Sequence, residues 1–146
     1  MKILCLGASF TGTYLASNFG NDNTIKFLTR QPSLVKNRGF IAINSILSDE
    51  IDAPELILDT IPPVLDANGE LSLPYGNIID KLISSIEKVV YLHISSTSVY
   101  ASSFRSSNNI DVPVVDEDTP ASPDTNRGET RLKLEDHILK RYDNSR

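Results

Sequence analysis

Cysteine is nearly absent: Cys5 is the single one in 146 residues. One thiol cannot close an intrachain disulfide, which excludes the disulfide-stapled class of small secreted domains. Its setting in the apolar run Ile3–Leu6 predicts a buried, reduced thiol. Tryptophan is missing, and the only histidines are His93 and His137. No set of these residues has ligand spacing, so no metal centre is expected. A basic excess is missing as well. Fourteen Lys and Arg against nineteen Asp and Glu leave a formal net charge of −5 and an isoelectric point near 4.9. Nucleic-acid binders carry a basic stripe, and the balance here argues against such a partner. Long apolar runs are also lacking. Ile3–Leu6 is interrupted by Gly7. It is too short for a signal-peptide core and far below the roughly 18 residues that span a bilayer. The expectation is a cytoplasmic protein with neither a membrane nor a nucleic-acid partner.

What is present is an ordinary globular mixture, 40% hydrophobic and 23% charged. The length fits one domain over 1–146. Apolar runs at Lys2–Leu6, Thr24–Thr29, Gly39–Ile46, Glu55–Ile61 and Lys88–Ile94 predict strands. Gln31-Pro32 and Pro62-Pro63 stop the second and fourth. Leu15, Ala16 and Phe19 have helical spacing. Ile78, Ile79, Leu82, Ile83 and Ile86 form one apolar helical stripe. A last helix is expected at about Gly128–Tyr142, with Leu134, Ile138 and Tyr142, and Leu132 and Leu139, on its apolar face. Ser95–Pro123 reads as a long loop, and Asp143–Arg146 as a frayed tail. Strands separated by helices imply right-handed crossovers and a parallel sheet. The expected fold is α/β, a three-layer, Rossmann-like, doubly wound sheet of about five strands in the order 3-2-1-4-5. Ligands of such sheets bind beyond the strands' carboxyl ends, between strands one and four.

The first strand runs straight into Gly7-Ala8-Ser9-Phe10-Thr11-Gly12 and then a helix. This is the place of the dinucleotide fingerprint G-x-G-x-x-G. Gly7 suits the tight turn and Gly12 the close packing of helix on strand. The helix N-terminus offers N–H groups and a positive dipole end to a pyrophosphate. The middle glycine is replaced by Ser9, whose hydroxyl could donate to a phosphate, so altered or weakened contact is expected. The alternative is a plain strand-to-helix turn without a ligand. A triphosphate P-loop shares the glycine spacing but needs a lysine where Thr13 stands, which excludes it. The second strand ends in Thr29-Arg30, with no acid for the ribose hydroxyls. A guanidinium there suits a 2′-phosphate and ranks NADP ahead of NAD, against the alternative of a solvated charge. His93-x-Ser95 has no G-x-S-x-G elbow around it, so His93 is taken as a structural strand residue. Asp116, Glu117 and Asp118 are taken as a solvated loop.

Four segments occur in order: the glycine turn, Ser95-Ser96-Thr97-Ser98-Val99-Tyr100, the stretch VDEDTPASP ending at Pro123, and RGETRLKLE from Arg127 to Glu135. Together they resemble the extended and atypical short-chain dehydrogenase/reductases, the NAD-dependent epimerase/dehydratase group. Asp59-Thr60-Ile61-Pro62-Pro63 is similar to the strand-four end of the atypical subgroup. The resemblance covers nearly the whole chain but only the N-terminal, cofactor-binding half of such proteins. It implies that Gly7, Ser9, Phe10, Thr11, Gly12, Arg30, Thr60 and Pro62 hold NADP or NAD, and that Ser96 bonds a substrate oxygen. It implies an oxidoreductase or epimerase-like activity on a small, sugar-like molecule. The group's Tyr-x-x-x-Lys acid/base pair falls on Arg127 and Arg131. Arginine stays charged and cannot shuttle protons. Tyr100 matches a packed aromatic rather than a catalytic one. The rival expectation is therefore a non-catalytic dinucleotide-binding or assembly module. The helices at about 76–86 and 128–142 match the group's dimer helices, so a homodimer is expected.

Overall fold

Strand β1 (Lys2–Leu6) is the middle strand of a five-stranded parallel sheet in the computed structural model. The structure describes residues 1–43, 53–73, 75–86, 88–101 and 115–142. From Ile3 to Leu6 every residue of β1 is buried, as an unbroken apolar run requires when both faces are covered. β1 pairs with β2 (Thr24–Leu28) on one side and β4 (Leu56–Asp59) on the other. β3 (Ile41–Ile43) extends the sheet beyond β2, and β7 (Val90–His93) extends it beyond β4. The order β3-β2-β1-β4-β7 is the expected doubly wound one. Its fifth member is the seventh strand among the described residues, because a hairpin of β5 (Val64–Leu65) and β6 (Leu71–Ser72) intervenes.

Successive residues of a strand face opposite ways. On one face Ile3, Cys5, Ile25, Phe27 and Leu58 form a core with Ala16 and Val35. Ala16 comes from α1 (Phe10–Phe19) and Val35 from α2 (Pro32–Lys36). On the other face the registers align Leu4 with Ile57 and Tyr91, and Leu6 with Asp59 and His93. Helix α3 (Gly76–Ser85) contributes Ile79, which is fully buried. The side chain of Ile78 lies outside the described residues.

The chain falls into two units. The sheet and α1 to α3 belong to the first, drawn from Met1–Pro62, Leu73–Ile94 and Tyr142–Arg146. The second, from Pro63–Ser72 and Ser95–Arg141, holds the β5–β6 hairpin, a 3₁₀ turn at Thr97–Val99 and α4 (Asn126–Arg141).

Several expected boundaries shift. β2 stops at Leu28 rather than Thr29, and β4 and β7 are shorter at both ends than the apolar runs. The expected third strand begins two residues late, and its positions 44–46 lie outside the described residues. Pro32, expected to stop the second strand, lies four residues beyond the end of β2 and occupies the first turn of α2, where a missing N–H costs nothing. The hairpin turn carries an Asn68-Gly69 signal, and Asp66 Oδ1 accepts the N–H of Asn68 and Glu70. Its flanking strands are two residues each, too short to show a period. The expected loop Ser95–Pro123 contains the 3₁₀ turn, and its positions 102–114 lie outside the described residues, as does the tail 143–146. α4 starts two residues early and ends before Tyr142. Its buried stripe is Arg131, Leu134 and Ile138, whereas Leu139, expected on the apolar face, is 60% exposed.

Candidate functional site

The glycine turn sits at the carboxyl end of β1, beside the ends of β2 and β4. Gly7 has φ +85°, a left-handed conformation that suits only glycine without strain. Its N–H bonds the Leu28 carbonyl at 2.9 Å, which ties the turn to β2. A Cβ at Gly7 would lie 3.1 Å from Thr60 Oγ1 and 3.2 Å from Ile61 Cγ1. Thr60 donates twice to the Leu6 carbonyl, from its N–H at 3.1 Å and its hydroxyl at 2.8 Å, which ties the turn to β4. Gly7 and Thr60 therefore form one floor at the switch point of the sheet.

Helix α1 begins on this floor. Ser9 is its N-cap, and Ser9 Oγ accepts the Gly12 N–H at 3.1 Å. Gly12 is buried, and a Cβ there would come within 3.3 Å of the Phe27 ring. Phe10 is 83% exposed and stacks on Tyr14 with ring centroids 6.0 Å apart. Thr11, Arg30 and Pro62 are exposed. Arg30 stands in the loop leaving β2, and Pro62 in the loop leaving β4. The eight residues expected to hold a dinucleotide thus all lie in the first unit, and Gly7, Ser9, Gly12 and Thr60 line its turn.

The turn fits a diphosphate. The amides of Phe10 and Thr11, in the first turn of α1, have no acceptor four residues back inside the helix and are the donors such a group would take. The Gly12 amide is already taken by Ser9.

The remaining expected residue, Ser96, belongs to the second unit. It caps the 3₁₀ turn, its Oγ accepting the Ser98 N–H at 3.2 Å. As an acceptor there, the hydroxyl keeps its proton available to a partner. Nearby, Ser95 Oγ donates to Glu135 on α4. The start of α4 is pinned by Thr125, whose Oγ1 accepts the Gly128 N–H at 3.1 Å. A Cβ at Gly128 would overlap the Ser98 carbonyl oxygen. Arg127 is exposed and Arg131 is buried.

One cluster escaped the sequence reading. Asp59, 4% exposed, closes β4 with its carboxylate fully engaged. Oδ2 accepts the Tyr91 hydroxyl at 2.6 Å and faces His93 Nδ1 at 3.3 Å, while Oδ1 accepts the Ile61 N–H at 2.9 Å. A carboxylate can only accept, so His93 presents Nδ1–H to it. His93 Nε2 is buried without a hydrogen-bond partner among the described residues. Burial first, and the Asp59 charge second, hold the Tyr91 hydroxyl far above its ordinary pKa. The clue was Asp59 itself, a carboxylate ending an apolar strand. Tyr91 and His93, two apart on one strand, share a face, but only strand pairing brings that face to Asp59. His93 is the last residue of β7, as the strand reading expects. Cys5 is buried, and desolvation raises its thiol pKa to about 12. Among the described residues no group of three His, Cys, Asp or Glu side chains could hold a metal ion. No helix among them is long and apolar enough to cross a membrane.

No protein-family model matches the chain. No curated protein matches it either. Solved structures do. ADP-L-glycero-D-manno-heptose-6-epimerase from Helicobacter pylori is similar at 18% identity and a TM-score of 0.62, over 99% of this chain and 52% of that one. UDP-N-acetylglucosamine 4-epimerase from Bacillus cereus is similar at 18% identity and a TM-score of 0.59, over 98% and 52%. A conserved protein of unknown function from Silicibacter pomeroyi is similar at 18% identity and a TM-score of 0.66, over 92% and 46%. The chain therefore spans about half the length of these solved structures. At this identity the likeness shows the fold: a Rossmann-like α/β sheet with its crossover point at the glycine turn.

Proposed function

We propose that this chain binds a nicotinamide dinucleotide, with the diphosphate over the turn from Gly7 to Gly12. The observation that carries this reading is the left-handed Gly7 turn, which feeds α1 from the central strand at the sheet's switch point. The amides of Phe10 and Thr11 and the positive end of α1 attract the diphosphate. Thr60 and Pro62 border it from β4. Arg30 offers its guanidinium to a 2′-phosphate, which ranks NADP ahead of NAD. The substrate class is a small, sugar-like molecule, in keeping with the two named epimerases of similar fold. A bound nicotinamide would supply hydride transfer. Ser96 would donate its hydroxyl hydrogen bond to the substrate oxygen.

A second reading follows from Arg127 and Arg131. They stand where the resembling group has its proton-transferring tyrosine and lysine, and neither can give up a proton near neutral pH. The chain would then hold the dinucleotide without turnover and act as an assembly module, a homodimer joined through the helices at about 76–86 and 128–142.

The test is a fluorescence titration with NADPH and NADH, on the wild type and Arg30→Ala. Micromolar NADPH binding is expected, with weaker NADH binding and a difference that Arg30→Ala erases. No binding of either nucleotide at millimolar concentration would overturn the dinucleotide reading. Turnover of any sugar-like substrate by the bound protein would remove the second reading.

A further inference from the structure

Ser9 occupies the fingerprint position where the backbone normally meets the diphosphate unhindered, and here its side chain already has a task. Its backbone is extended, with φ −78° and ψ 170°, and its Oγ accepts the Gly12 N–H at 3.1 Å. Its carbonyl accepts the Thr13 N–H at 3.0 Å and the Thr13 hydroxyl at 2.9 Å. Both acceptor atoms of Ser9 are thus committed to the first turn of α1. A glycine at this position has no such oxygen, and the Gly12 amide would await an acceptor from outside.

We propose that Ser9 sets the dinucleotide affinity of this chain by competing with the ligand's diphosphate for the Gly12 amide. This rests on the dinucleotide reading above. For a phosphate oxygen to take that N–H, the Ser9 hydroxyl must first leave it. The amides of Phe10 and Thr11 lack an internal acceptor and meet the ligand without such a contest. The strength of a serine N-cap corresponds to about a fivefold reduction in affinity. Ser9 is then a built-in attenuator: the fold keeps the binding turn intact while the chain fills part of it with its own oxygen.

Full-length wild type, Ser9→Ala and Ser9→Gly would be titrated with NADPH and with ADP, a plain diphosphate. Amide hydrogen exchange at Gly12 would be measured without ligand. Alanine removes the oxygen and keeps the Cβ; glycine removes both, and it costs a helix N-cap little, so that variant stays folded. Ser9→Ala is expected to bind NADPH and ADP about fivefold more tightly and Ser9→Gly up to about twofold more tightly, with faster Gly12 exchange in each. Tightening in Ser9→Gly alone would make the bulk of the Cβ the cause and overturn the competition. Unchanged binding in both would overturn it as well. Weaker binding in both would mean that the hydroxyl serves the phosphate, the opposite role. Failure of all three proteins to bind either probe at millimolar concentration would instead overturn the dinucleotide reading, and this inference with it.

Discussion

At the residue scale, the Asp59 carboxylate is the most exacting group in the first unit. Buried at the end of β4, it depends on donors from Tyr91, His93 and Ile61. Tyr91→Phe removes the shortest of these bonds and leaves a buried acceptor with less compensation. A loss of about 1.5–3 kcal/mol is expected, read from urea unfolding at neutral pH. The wild type should also be alkali-sensitive. Cys5 is raised from 9.0 to about 12, and Tyr91 is raised above its ordinary 10.0. Both hold their protons more tightly folded than unfolded. Their contribution is complete below pH 9 and drains as the unfolded chain ionises, first at Cys5 and then at Tyr91. The urea midpoint should therefore fall from pH 9 towards 12, and fall less steeply in Tyr91→Phe, which lacks one of the two groups.

At the scale of the element, helix ends and close approaches decide where structure starts. α1 starts at Ser9 because a hydroxyl on an extended residue satisfies a first-turn amide. α4 starts two residues before the expected position because Thr125 caps it. Its third residue, Gly128, lies too close to the Ser98 carbonyl for any side chain. Gly128→Ala would stabilise a free helix by about 1 kcal/mol. Here the overlap should reverse that sign, with about 1–3 kcal/mol lost to overpacking. A lower urea midpoint for Gly128→Ala is the expected outcome; a higher one would show that α4 does not seat on the 3₁₀ turn. The sequence alone hides this, since a glycine inside RGETR looks like a weak helix residue rather than a contact surface.

At the scale of the whole molecule, the proposed homodimer predicts a sedimenting mass twice 16.1 kDa at micromolar concentration. Leu139, 60% exposed on α4, is an apolar side chain that a partner copy would cover. Leu139→Glu should shift the equilibrium to monomer without loss of helicity by circular dichroism; a monomeric wild type would overturn the assembly. The sequence by itself determined the class and order of the sheet. The runs at β1 and β4 are apolar because the central strands of a parallel sheet are covered on both faces, and crossover handedness leaves few ways to order the strands. It also determined the place of the glycine turn, since strand, glycine and helix are local in the chain. Only the tertiary structure decided the rest. The two-residue strands β5 and β6 carry no period to read, and α2 begins at a proline that reads in the sequence only as a strand stop. Asp59, Tyr91 and His93 become one cluster through strand pairing across 32 and 34 positions. The capping bond from Ser9 to Gly12 appears only once α1 has formed, because a side chain's hydrogen bond depends on backbone angles that residue identity does not fix.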